Sequence, residues 1–170
     1  MRAALTGAAL LLAALAQVTV ASLFPWQAAL PDLALLTLLL FAAFGGPVTV
    51  MVGLPLLALS LGFASDRAPA LILLAYLPLL PMASSLERSA LPLNRYATWL
   101  LAGVATGAWA RVVLALGAIA QGASADLSAV VFRLVLPGLV LDGLLLSLVY
   151  LPARALGWEA RGPSLQRAGW

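Results

Sequence analysis

The charged residues of this chain stand mostly between long apolar runs, and that separation decides what it can fold into. Over 170 residues there are nine Lys or Arg and six Asp or Glu, 9% of the chain, against 64% hydrophobic residues. A soluble domain carries roughly a quarter charged residues. In hydrocarbon every backbone N–H and C=O must be bonded within the protein, so uninterrupted apolar runs imply membrane-crossing helices. The strands of an outer-membrane barrel would alternate apolar and polar residues, and these runs do not. The sequence predicts an all-α, polytopic transmembrane helical bundle.

The runs are Ala3–Phe24, Leu33–Phe44, Val48–Phe63, Ala68–Ala83, Ala97–Ala120 and Ala129–Leu151. The first is too long for a secretory leader and reads as a retained helix. Pro31-Asp32 opens the second run, with Asp32 suited to an N-cap or first-turn carboxylate. Gly45-Gly46-Pro47 breaks the pattern, and Ser84–Tyr96 is the longest polar connector. Residues 1–151 are expected to form the membrane domain and 152–170 a cytoplasmic tail. The stretch Leu33–Phe63 is short for two full spans, which need about 40 residues. It admits two short helices, a re-entrant hairpin or one tilted span. Arginine placement favours an even count. With six crossings and the N-terminus inside, Arg2, Arg88, Arg95, Arg154, Arg161 and Arg167 are all cytoplasmic, and Arg67 lies in an outside loop. The expected topology is about six helices, N-in and C-in, with a short second–third hairpin, in the bacterial inner membrane.

Three charges interrupt the runs: Arg111, Arg133 and Asp142. A central charge costs at least about 2.5–3.5 kcal/mol in lipid, so each needs a partner or a route to the interface. Arg133 lies about 6 Å from the start of its run, at 1.5 Å per residue, and can snorkel. Arg111 and Asp142 lie about 14 and 20 Å deep on neighbouring antiparallel helices, within reach of each other. Their pairing is either a static clasp or a site that a partner or substrate reaches. Gln17 is placed to bond across to a neighbouring helix.

Small residues recur at helical spacing: Gly7 and Ala14 in the first run, Gly53 in the third, Gly103 and Gly107 in the fifth. Such positions let helices approach closely, either within this chain or in docking another protein's helix. Pro55, Pro78, Pro81 and Pro137 lie inside runs, where each frees a carbonyl. Trp26, Trp99 and Trp158 read as interfacial anchors. The chain has no Cys and no His, and no carboxylate pair, nucleotide loop or metal-ligand cluster can be assembled from it. No enzyme, cofactor or metal function is expected. The +3 charge points to the cytoplasmic lipid surface rather than nucleic acid.

The order of these features resembles the MreD family of bacterial rod-shape-determining membrane proteins. The carriers are ALPDLALLTLLLFAAFGGP, a Gly-spaced third helix ending LGFASDR, and FRLVLPGLVLDGLLLSLVY in the last helix. Pro31-Asp32 matches the family's opening of the second helix, and Asp66 the acidic residue closing the third. Arg133, Pro137 and Asp142 match the last helix, where the family often has an amide in place of the carboxylate. The resemblance implies a non-enzymatic scaffold of the elongasome, the machinery of cell shape and peptidoglycan synthesis. Its partners would be the single-span MreC, and through it RodA, a class B penicillin-binding transpeptidase and MreB. The alternative is the substrate-binding subunit of an energy-coupling-factor vitamin transporter. The polar residues expected on the outside, Gln27, Asp32, Asp66, Arg67, Gln121 and Asp126, are sparse for a solute pocket.

Overall fold

A computed structural model describes residues 2–23, 30–88, 95–124, 126, 128 and 130–156. The described residues are all-helical, arranged as six rods. They are α1 (Arg2–Leu23), α2 (Leu33–Gly45), α3 (Pro47–Ser65), the broken rod α4 (Pro69–Tyr76) with α5 (Leu79–Arg88), α6 (Arg95–Ala120), and a π-helical stretch (Val130–Val135) running into α7 (Leu136–Ala155). Three of them are long and apolar enough to cross a membrane: Pro47–Ser65, Arg95–Ala120 and Val130–Ala155.

Proline and glycine set the boundaries. Pro47 opens α3 and Pro69 opens α4, at first-turn positions where a missing N–H costs nothing. Between α2 and α3 the chain turns on Gly46, whose φ of 80° suits a residue without a Cβ. That turn makes a hairpin of Leu33–Phe63. A Cβ on Gly53 would stand 3.2 Å from Leu38, whereas fifteen residues of one continuous helix would part them by about 22 Å. Leu33–Phe63 is therefore two antiparallel helices and not one continuous helix. Pro78 divides α4 from α5 because it cannot donate to the carbonyl one turn back.

The second helix is the centre of the bundle. Ala34, Leu35, Leu36, Leu38, Leu39, Ala42 and Ala43 are buried and no residue from Leu33 to Phe44 is exposed, so it is covered on every side rather than along one stripe. Helix α3 supplies Val50, Leu54 and Leu57 to the same core, and α1 supplies Leu10 and Ala14. Burial runs opposite to that of a soluble protein on the outer faces. Val48, Val52 and Phe63 on α3, and Val140, Leu144 and Leu148 on α7, are all exposed. Hydroxyls inside the apolar helices bond back one turn: Thr37 donates to the Leu33 carbonyl and Ser60 to that of Leu56.

Both ends of the bundle have a recognisable junction. At one, Tyr150 stacks on Phe44 with ring centroids 5.5 Å apart and meets Tyr96 at a tilt with centroids 5.7 Å apart. At the other, the Asp66–Arg67 turn, Leu30 and Ala118 border one cleft.

Several boundaries differ from the sequence reading. Helix α5 continues to Arg88, so Ser84–Arg88 is helical rather than connector. Helix α7 continues to Ala155, so Pro152–Ala155 is not tail; Pro152 is tolerated near the helix end. Trp99 is buried at 4% exposure and is a core residue, not an interfacial anchor. Trp26, Gln27, Asn94 and Trp158, with the remainder of the tail, lie outside the described residues.

Candidate functional site

The site begins at the first turn of α2. A helix start leaves unpaired N–H groups, and where they are buried the protein itself has to pair them. Here three side chains do so. Asp32 is the N-cap, its carboxylate accepting from Leu35 N at 2.9 Å. Gln17 of α1 accepts from Leu33 N at 2.7 Å. Asp142 of α7 accepts through Oδ1 from Asp32 N, also at 2.7 Å. The Tyr76 hydroxyl, from α4, donates to the Asp32 carboxylate at 2.8 and 3.0 Å.

Asp142 also carries the charge contact. Its Oδ2 lies 2.7 Å from Arg111 Nη2, an approach outside hydrogen-bond alignment, so charge rather than an aligned N–H holds it. Arg111 donates weakly to the Gly107 carbonyl at 3.3 Å and to that of Leu30 at 3.4 Å. Gly138 makes room for the guanidinium. A Cβ there would stand 2.6 Å from Arg111 Nε and Nη2 and 2.8 Å from Cζ. Asp32, Arg111 and Asp142 are all buried. One carboxylate thus joins α7 to α6 by charge and to α2 by hydrogen bond.

The structure brings together four of the residues singled out in the sequence, Gln17, Asp32, Arg111 and Asp142, and separates others. Asp66 is exposed at the end of α3, where it adopts a left-handed φ of 53°, a conformation Asp tolerates better than most residues. Arg133 is exposed on the π-helical stretch, and Pro137 follows in the first turn of α7. The small residues face inward. A Cβ on Gly53 would meet Leu10 at 3.1 Å, one on Gly103 would meet Leu39 at 3.1 Å, and one on Gly107 would meet Leu139 at 3.1 Å. Ala14 is in the core, and Gly7 faces Leu56. These positions pack the chain against itself. A partner helix would need a different face.

Two contributors were not anticipated. Tyr76 sits in an apolar run, and its signal was the rule that a buried tyrosine hydroxyl finds an acceptor. Gly138 lies one helical turn before Asp142, the spacing that clears space over a neighbouring charge. The small number of outward polar residues also misled. Asp32 is not an outer-surface residue. With Gln17, Tyr76 and Arg111 it lines a cleft of about 740 Å³ that extends to the exposed Asp66–Arg67 turn. Leu61, Ile72 and Leu114 form apolar walls.

The Gln17 bond is separable from the charges. Gln17→Leu leaves the Leu33 N–H without its acceptor inside the bundle, and it should lower stability by about 1–3 kcal/mol. Denaturation of the purified protein in detergent measures this, and an unchanged midpoint would remove Gln17 from the site. No family model, curated protein or solved structure matches this chain.

Proposed function

We propose that this chain is an MreD-like, non-enzymatic membrane scaffold of the bacterial elongation machinery, holding the transmembrane helix of an MreC-like partner. In this reading it crosses the inner membrane six times with both termini in the cytoplasm, as the arginine distribution favours. Asp32, Asp66 and Gln121 then lie toward the periplasm, and Arg95 and Arg154 toward anionic lipid. RodA, the class B transpeptidase and MreB are reached through the partner.

The observation that carries the reading is how the intramembrane polar groups are used. Asp142, Arg111, Asp32, Tyr76 and Gln17 bond to one another and to the start of α2. That fixes the helices relative to one another. It leaves broad apolar faces, such as Val140, Leu144 and Leu148 on α7, turned outward. A bundle locked inside and apolar outside suits a protein whose work is to position neighbouring helices. The order of Pro31-Asp32, Asp66, Arg133, Pro137 and Asp142 supports the same family.

Photo-crosslinking residues at Leu59 and Leu148, both exposed, test the partner in living cells. An adduct with a single-span protein bearing a coiled-coil ectodomain is expected from at least one of them. The inward-facing Ala14 and Gly103 should yield none. The absence of any such adduct from both outer faces would reject the scaffold role. Because the chain lacks cysteine, single cysteines test the topology cleanly. One at Arg67 should react with a periplasmic reagent, and one at Arg154 should not.

A further inference from the structure

The charges around the cleft do not balance once the clasp has formed. Arg111 and Asp142 neutralise each other at 2.7 Å. Asp66 and Arg67, of opposite sign, are both exposed at the cleft's rim. Asp32 is left over. It is buried and receives only neutral donors, the Tyr76 hydroxyl and the Leu35 N–H. Among the described residues no cation stands within ion-pair distance of it. Two buried carboxylates therefore share one guanidinium.

A buried carboxylate is costly without a counter-charge, and this one borders open space. The cleft, about 740 Å³, falls within the ~300–1,000 Å³ typical of small-molecule sites. Its walls at Leu61, Ile72 and Leu114 are apolar, and Tyr76 adds an aromatic ring beside Asp32. An anion is disfavoured because Arg111 is already engaged by Asp142, and the other buried acidic or basic residue at the cleft, Asp32, carries a carboxyl. A bare metal ion would want about six oxygen ligands, and mostly apolar walls do not supply them.

We propose that this cleft binds a small monovalent organic cation, an amine or quaternary ammonium on an apolar body, with Asp32 as its counter-ion. The proposal stands apart from the scaffold reading, since it concerns the interior cleft and requires no partner helix. The apolar body lies along the leucine and isoleucine walls. The charged end reaches the carboxylate, and the ligand enters past Asp66 and Arg67.

The experiment measures thermal stabilisation of the full chain, purified in neutral detergent. The probes are 4-phenylbutylamine, its trimethylammonium analogue, 4-phenylbutanol and 4-phenylbutyrate. The two cations should raise the unfolding midpoint saturably, and the alcohol and the acid should not. Asp32→Asn keeps a competent N-cap for Leu35 and should bind the cations about tenfold or more weakly, the loss of one desolvated charge contact. Leu114→Trp adds bulk to an apolar wall of the cleft while leaving the Asp32 carboxylate unsubstituted and should also abolish the response, which decides the matter if Asp32→Asn does not fold. Val52→Ala, on the outer face of α3 and away from the cleft lining, should respond like the unaltered protein. Equal shifts from the cations and the alcohol would overturn the assignment, as would an undiminished response in either folded variant.

Discussion

Asp142→Ala should be among the most damaging single substitutions in this protein, and worse than the double substitution Asp142→Ala with Arg111→Ala. The single change strands the Arg111 guanidinium, which is 8% exposed, beside the cavity left by the carboxylate. Removing one member of a buried ion pair costs about 3–5 kcal/mol, because the remaining charge keeps its desolvation penalty without compensation. It also takes the acceptor from Asp32 N, bonded at 2.7 Å, leaving an orphan donor worth about 1–3 kcal/mol. The double variant retains only that second loss and the packing defects. It should therefore recover about 2 kcal/mol or more relative to the single. Unfolding by a denaturing detergent, measured across the four-member cycle, checks this. Simple additivity of the two single effects would show that the charges do not depend on each other.

The second large effect comes from a residue without any polar group. Gly138→Ala places a methyl 2.6 Å from Arg111 Nε and Nη2. No real Cβ contact is that short, so the guanidinium or α7 has to move. Arg111 is held between Asp142 and the carbonyls of Gly107 and Leu30, which restricts where it can go. Overpacking of this kind costs about 1–3 kcal/mol, and loosening the ion contact adds to it. Gly138→Val should be worse than Gly138→Ala. Combined with Arg111→Ala, Gly138→Ala should cost little further, since the methyl then enters space the arginine has vacated. A penalty of the same size with and without Arg111 would place the cause in the helix backbone instead.

Both expectations follow from a clasp built as a unit. Asp142 is a shared acceptor for a charge on α6 and an N–H at the start of α2, and Gly138 keeps the approach open. Each part is cheap only while the others are present. This is the usual condition of buried polar networks, in which partial satisfaction is worse than none.

How much of this could be read without coordinates varies from residue to residue. The all-helical class and the positions of most breaks follow from local chemistry. Long apolar runs permit only self-satisfied backbone, and Pro47, Pro69 and Gly46 stop or start helices by covalent geometry alone. Asp32 as an N-cap is legible for the same reason, since its bond to Leu35 spans three residues. The proximity of Arg111 and Asp142 was accessible from depth and antiparallel packing. Helix limits near Arg88 and Ala155 were not, because polar residues are allowed to continue a helix beyond an apolar run.

What the amino-acid order alone determined is therefore the set of helices and the demand that their few charged groups find partners. What only the tertiary structure decided is which partners they find. It turned the glycine stripes inward, brought Tyr76 and Gln17 to the first turn of α2, and set a cleft beside a carboxylate without a cation. The physical reason is one of range. Helix formation and its termination act over about four residues, whereas the contacts of Asp32 with Asp142 and of Tyr76 with Asp32 close 110 and 44 residues of chain. Those closures depend on rotation and depth of whole helices, which no local pattern records.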